Sequence, residues 1–260
     1  MPRLRVLAIG LVSGSFGGLL GIGGGVVMVP LLTGWGRLDQ HSAHGTSLVG
    51  VVATGLVGAA VYGKGASVDW VAAGLLALGA VPATVFASRA SVRIPAGTLQ
   101  RGFGAFLLFT AALLPFKGAV PVTGLLDGTA ASVSLVALGV LVGALSGLLG
   151  VGGGAVMVPA LALGPGFVQQ LAQGTSLAAM IPSGAMGAAV HARVGHVRAR
   201  AAVPLVAGIA AGSWAGGSFA LGLPAPLLRA VFSVVLVWLG LRYLRRGPAT
   251  RGLEAKTRAG

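Results

Sequence analysis

Gly18-Leu19-Leu20-Gly21-Ile22-Gly23-Gly24-Gly25-Val26-Val27-Met28-Val29-Pro30 sits inside an apolar run, Leu4–Thr33, of about thirty residues. A single helical crossing of a ~30 Å hydrocarbon core takes about 20 residues, so the run is too long for one crossing and too short for two. Each glycine costs about 1 kcal/mol in a helix relative to alanine. Four glycines within the five residues Gly21–Gly25 therefore break the helix near mid-membrane. Two half-helices of ~14 residues each reach about 21 Å at 1.5 Å per residue, enough for a re-entrant hairpin whose tip passes the midplane.

The stretch recurs at an offset of 129. Gly147-Leu148-Leu149-Gly150 matches Gly18–Gly21, Gly152-Gly153-Gly154 matches Gly23–Gly25, and Val156-Met157-Val158-Pro159 matches Val27–Pro30. Farther on, Gly174-Thr175-Ser176-Leu177 matches Gly45-Thr46-Ser47-Leu48, and Pro224, Leu228 and Phe232 match Pro95, Leu99 and Phe103. Low complexity can align glycines and leucines, but it does not bring Met-Val-Pro and Gly-Thr-Ser-Leu into one register. The chain therefore divides into a first repeat over residues 1–115, a linker over 116–129, a second repeat over 130–244 and a basic tail over 245–260. Each repeat holds four apolar stretches: Leu4–Thr33, Ala43–Tyr62, Trp70–Ser88 and Gly97–Leu114, then Ala130–Leu163, Gln169–Val190, Ala201–Leu221 and Ala225–Leu244.

Composition places these stretches in lipid. Only 8% of the 260 residues are charged, against roughly 25% in soluble domains. The fold expected is an all-α integral membrane protein of two homologous four-segment repeats. The net charge of +14 could suggest nucleic acid, but the cations lie between apolar runs and in the tail, without interleaved aromatics. They are the cytoplasmic excess of Lys and Arg found in membrane proteins. The basic tail is expected to rest on anionic headgroups. The first residues resemble a secretory signal, yet an A-x-A cleavage site is lacking, so the segment is read as a retained helix.

Charge placement also bears on topology. If all eight stretches cross, thirteen cations fall on one side and five on the other; if the two long ones are re-entrant, the split is fifteen to three. The positive-inside rule favours the second arrangement, with inverted repeats and both termini cytoplasmic.

Irregular backbone in a membrane is tolerated only inside protein or against a water-filled cavity. Two broken segments at corresponding places thus point to a transport site. The half-helices starting near Gly24 and Gly153 present unpartnered amides and a positive dipole end, which suit an anion. Candidate substrate-binding residues are Gly23, Gly24, Gly25, Gly152, Gly153 and Gly154, with Thr46, Ser47, Thr175 and Ser176. The hydroxyls could instead cap helices. Gly10-Gly14-Gly18, Gly139-Gly143-Gly147 and Gly208-Gly212-Gly216 read as packing stripes. His44 stands where the second repeat has Gln173, a broken symmetry at a titratable position that could couple transport to protons. His41, His191 and His196 read as loop residues.

Absences narrow the chemistry. Asp39, Asp69, Asp127 and Glu254 all fall in loops or at helix edges, so a carboxylate relay within the membrane is excluded. Hydrolytic groupings have no candidate, and the absence of cysteine leaves neither disulfides nor thiolate metal sites. Gly150–Ala155 fits G-x-G-x-x-A formally, but it follows an apolar helix and lacks the acid about 20 residues on. No enzyme activity, cofactor, metal or nucleic-acid partner is expected.

The doubled glycine element and the doubled A-x-G-T-S-L element resemble the TauE/SafE sulfite exporter family, also called the 4-toluene sulfonate uptake permease family. The resemblance spans about Val6 to Leu244. It implies a bacterial-type inner-membrane transporter of sulfite, sulfonates or related organosulfur anions. The family's glycine hallmark falls on Gly21–Gly25 and Gly150–Gly154, and its Thr-Ser element on Thr46-Ser47 and Thr175-Ser176. The expected function is a secondary transporter of a small oxyanion, working by alternating access. A passive anion channel and a non-transporting membrane scaffold are the competing readings. The sequence leaves the anion, the direction, the coupling ion and the oligomeric state open, a homodimer included.

Overall fold

The computed structural model describes residues 3–90, 96–114, 128–149 and 153–245. Gly150, Val151 and Gly152 therefore lie outside the described residues, as do most of the expected linker over 116–129 and all of the basic tail beyond Arg245. The described residues form ten helices: α1 (Arg3–Leu20), α2 (Gly25–Gly34), α3 (Gln40–Lys64), α4 (Trp70–Ala90), α5 (Ala96–Leu113), α6 (Thr129–Leu149), α7 (Gly154–Leu163), α8 (Gln169–Arg193), α9 (Ala199–Gly222) and α10 (Ala225–Arg245). Six of them, α1, α3, α4, α6, α9 and α10, are long and apolar enough to cross a membrane. The protein is a multi-pass, all-helical membrane protein.

The offset of the sequence repeat carries onto the helix boundaries. α2 and α7 are both ten residues long and α3 and α8 both twenty-five, each pair with the same spacing between starts. The first glycine break divides its segment unevenly. α1 has eighteen residues and α2 ten, rather than two legs of equal length. Helix persists through Gly17 and Gly18 because both pack inside the protein, and it yields only where Gly21, Gly23 and Gly24 take positive φ. α2 thus rises about 15 Å, half of a ~30 Å core.

Local chemistry sets the starts of α3 and α4. The Asp39 carboxylate accepts the Ser42 amide at 2.9 Å, and the Asp69 carboxylate accepts the Ala72 amide at 2.9 Å. Both aspartates are N-caps, satisfying amides that the first helical turn leaves open.

Packing joins the two halves of the chain. α1 lies along α9, where an added Cβ at Gly14 would meet the Ile209 carbonyl oxygen at 2.6 Å. Gly10 faces Leu205 and Gly18 faces Ser213, so the two helices run parallel. α4 and α6 repeat this arrangement, with Gly139 on Leu76, Gly143 on Ala80 and Gly147 on Thr84. Small residues let these backbones touch, as close crossings in lipid require. α3 and α8 run the other way: Gly58 meets Leu177, Gly55 meets Ile181 and Gly187 meets Leu48. The chain also doubles back early. Arg3, at the start of α1, lines the same cavity as Leu38, which follows α2.

Candidate functional site

Both glycine runs end in the same backbone device. Gly24 is the N-cap of α2 with φ 70°, and Gly153 is the N-cap of α7 with φ 72°. This left-handed region is open to glycine without steric cost. Neither N-cap has a side chain to offer, and the first turn of each helix lacks an acidic residue. Within α2 the first bonded amides are those of Val27 and Met28, both donating to the Gly24 carbonyl. Those of Val156 and Met157 do the same to Gly153. The preceding amides, of Gly25 and Val26 and of Gly154 and Ala155, have no intrahelical acceptor. All four residues are buried. A buried amide left unpaired costs about 1–3 kcal/mol, so each helix start presents donors toward an electron-rich group.

The two breaks meet. An added Cβ on Gly154 would lie 2.7 Å from both the Gly21 carbonyl oxygen and the Ile22 Cα. Gly23 faces Met180 of α8 and Val51 of α3, and Gly24 packs against the Ser13 carbonyl of α1. The Ser13 side chain is fully buried, and its hydroxyl has no hydrogen-bond partner among the described residues.

The Thr-Ser pairs bind across the repeat. The Thr46 hydroxyl oxygen accepts the Arg198 amide at 3.2 Å, and the Thr175 oxygen accepts the Asp69 amide at 2.9 Å. Asp69 and Arg198 occupy corresponding positions just before α4 and α9. Each threonine therefore ties the start of a helix in the other half of the chain. Ser176 donates to the Gly21 carbonyl at 3.0 Å, joining α8 directly to the first break. Ser47 donates to the His44 carbonyl at 2.8 Å.

The candidate residues do not all gather in one place. Because α3 and α8 run antiparallel, Thr46 and Thr175 face opposite ends of the pair. Gly58 marks the level of Leu177, so the two threonines stand roughly 21 Å apart along the axis at 1.5 Å per residue. A single small anion cannot touch both. Gly23, Gly24, Gly25, Gly153 and Gly154 cluster centrally, whereas Gly152 lies outside the described residues.

All four histidines collect at one end. His41 stacks on His196 with ring centroids 5.2 Å apart, His191 lies 5.9 Å from His196, and His44 lies 6.3 Å from His191. Only His196 is in a loop; His41 belongs to α3 and His191 to α8. The Asp39 cap starts α3 one turn earlier than the apolar run suggests, which brings His41 into the helix. No group of three or more His, Asp or Glu among the described residues is placed to hold a metal.

The opposite end holds different chemistry at the corresponding positions: Gln170, Gln173, Tyr62 and Ser67 in place of His41, His44, His191 and His196. The buried Tyr62 hydroxyl lies 3.0 Å from the Gly18 carbonyl oxygen and 2.9 Å from Gln173 Oε1. It has one proton to give. Turning the Gln173 amide over lets its nitrogen donate to the phenol oxygen while the phenol proton goes to Gly18. Tyr62 and Gln173 thus clamp the end of α3 to the start of α8 and the end of α1. Sequence reading passed over Tyr62; its only signal was that it occupies the position matching His191.

Beside the histidines, Asp39 lies 3.7 Å from Arg198, with both side chains more than half exposed. Hydrogen bonds from Ser42 hold the Asp39 carboxyl below the ordinary carboxylate range, with a smaller contribution from Arg198.

Comparison with known proteins finds a family model and membrane-transporter relatives that resemble this chain. Residues 135–259 match the family model for the sulfite exporter TauE/SafE. The chain is 28% identical to a probable membrane transporter protein, YunE, of Bacillus subtilis strain 168, over 95% of this chain and 99% of that protein. It is also 29% identical to a probable membrane transporter protein of Methanocaldococcus jannaschii, over 61% of each. No solved structure matches.

Proposed function

We propose that the chain, which resembles the sulfite exporter TauE/SafE family over residues 135–259, is a secondary transporter of a small oxyanion such as sulfite or an organosulfonate, working in a cytoplasmic membrane. The observation that carries this reading is the pair of buried helix starts at Gly24 and Gly153, uncapped by any side chain and free of acidic neighbours. Their open amides and dipole ends match the charge and the acceptor oxygens of such an anion. The glycines hold the anion centrally. Each Thr-Ser pair lines the path on its own side, so the anion passes one pair and then the other. Ser47 and Ser176 spend their protons on carbonyls, and the threonine hydroxyl protons are the ones left to donate to the passing oxygens.

Inverted repeats give the motion. The antiparallel contacts of α3 with α8, at corresponding residues, are those of two halves related by an axis perpendicular to the helices. Placed in a bilayer, that axis lies in the membrane plane. The shared cavity of Arg3 and Leu38 supports a re-entrant α1–α2 hairpin that enters and leaves on one side. Both termini are then cytoplasmic, in keeping with the charge distribution. His44, within the histidine end, is the residue that couples transport to protons, and Gln173 at the corresponding position has no titratable group.

The test is flux in liposomes. Wild-type protein is expected to move labelled sulfite with saturation and to exchange it against internal sulfite. Gly24→Ala with Gly153→Ala is expected to cut uptake strongly while the protein remains monodisperse. Equal flux in the double variant overturns the assignment of the site, and unsaturable flux without exchange indicates a channel.

A further inference from the structure

A cavity of about 720 Å³ opens between the starts of α1 and α9. Its polar end is built by Arg3, Arg198 and Arg200, and its wall by Val6, Val203 and Pro204. Among the described residues the only carboxylate paired with these guanidiniums is Asp39, on Arg198. The mouth therefore keeps an excess of positive charge. Arg198 is held in place as well, its Nε donating to Ser42 Oγ at 3.1 Å. α1 and α9 run parallel, so both present their positive dipole ends here. At the start of α9 the first bonded amides are Ala201 and Ala202, on the Arg198 carbonyl, and the N-cap offers no side-chain bond.

Along the same groove the chemistry changes from cationic to apolar within one helical turn. Val203, in the lining on α9, is 74% exposed, which in this chain means facing hydrocarbon. A soluble anion has no use for such a wall. An amphiphile with a negative head and an acyl chain uses both parts. By contrast, the 590 Å³ groove between α3 and α9 has one cation, Lys64, over an apolar lining, and nothing there selects a headgroup.

We propose that the groove between α1 and α9 is a binding site for an anionic glycerophospholipid. The phosphodiester sits among Arg3, Arg198 and Arg200, and one acyl chain runs past Val203 and Pro204. The site lies at one end of the molecule, apart from the glycine breaks, and does not depend on what the protein transports. Basic pockets between membrane helices hold anionic headgroups through the same charge attraction.

The experiment uses the full chain, purified in detergent and stripped of lipid. Thermal unfolding is followed with added phosphatidylglycerol, phosphatidylcholine or inorganic phosphate. Phosphatidylglycerol is expected to raise the midpoint by several degrees, with phosphatidylcholine and phosphate leaving it unchanged. Arg3→Gln with Arg200→Gln is expected to lose at least half of the shift, while Arg101→Gln on α5 keeps it. An equal effect of phosphatidylcholine overturns the proposal, and so does a shift reproduced by phosphate alone. Full retention of the shift in the double variant does the same. Should the double variant fail to fold, native mass spectrometry of the wild type decides: preferential retention of phosphatidylglycerol over phosphatidylcholine supports the site, and equal retention overturns it.

Discussion

A methyl group added at Gly24 must enter a left-handed backbone and meet the Ser13 carbonyl oxygen at 2.5 Å. The backbone term alone costs roughly 1–2 kcal/mol. Gly24→Ala and Gly153→Ala are therefore expected to lower the unfolding midpoint in detergent and to cut sulfite flux. Gly74→Ala, in an open stretch of α4, is expected to leave both unchanged or to stabilise slightly. Runs of glycine made the break legible in the sequence, but they did not reveal which glycine caps the helix. That depends on the sign of φ, and four glycines within five residues encode it poorly. The threonines are read the same way. Their hydroxyls fit a cap and a ligand equally well until the partner is known, and that partner lies in the other half of the chain. Thr46→Val and Thr175→Val are each expected to cost about 1 kcal/mol through the lost acceptor and to raise the apparent KM for sulfite. Serine at either position keeps the oxygen and should preserve both properties. Asp39→Ala should cost about 1 kcal/mol as a lost N-cap. Because the Asp39 carboxyl titrates below its ordinary value when folded, that contribution is present above about pH 4 and disappears as pH falls through the lowered value.

Between elements, the crossings are set by glycine stripes. Gly14 would place its Cβ 2.6 Å from the Ile209 carbonyl oxygen, and Gly143 would place its own 2.6 Å from the Ala80 Cα. Backbone atoms cannot move aside as a side-chain tip can, so Gly14→Leu and Gly143→Leu must push whole helices apart. Each is expected to abolish the monodisperse peak in size-exclusion chromatography, whereas Gly34→Leu, with open space around it, should not. Spacing by four made the stripes legible as packing surfaces. Their partners were hidden, because α1 meets α9 across most of the chain and α4 meets α6 across the junction of the repeats, and periodicity reports only a face. The uneven division into α1 and α2 was hidden for a related reason. Helix propensity in water penalises Gly17 and Gly18, but within this packed stripe tertiary contact outweighs it.

The whole molecule has two ends that match in backbone and differ in charge chemistry. One carries His41, His44, His191 and His196, with Asp39, Arg193 and Arg198 beside them; the other carries Gln170, Gln173, Tyr62 and Ser67. Histidine gains a proton near pH 6.5, and cationic rings 5.2–6.3 Å apart repel one another. Burial, with His196 and His41 close by, holds His191 below the ordinary imidazole range, so its neutral ring is favoured in the folded protein and that contribution is lost as pH falls below the ordinary value. The chain has no cysteine, so single cysteines can report on each end. Ala43→Cys, buried near the histidines, is expected to become more reactive to a thiol reagent between pH 7.5 and 5.5. Ala172→Cys, equally buried at the corresponding place, should show no such change. Equal pH response at both positions would remove the basis for proton coupling at His44. The histidine grouping was only half legible: the sequence displays the exchange of His44 for Gln173, but it takes the antiparallel packing of α3 and α8 to add His191 and His196.

The interlocked pairing of α1 with α9 has a consequence for how the protein is made. The first helix leaves the ribosome long before its partner exists, and its glycine-lined face must wait in lipid, or against the insertion machinery, until nearly the entire polypeptide has followed. Neither half can mature by itself, yet two separately translated halves carry every surface needed to find one another in the bilayer.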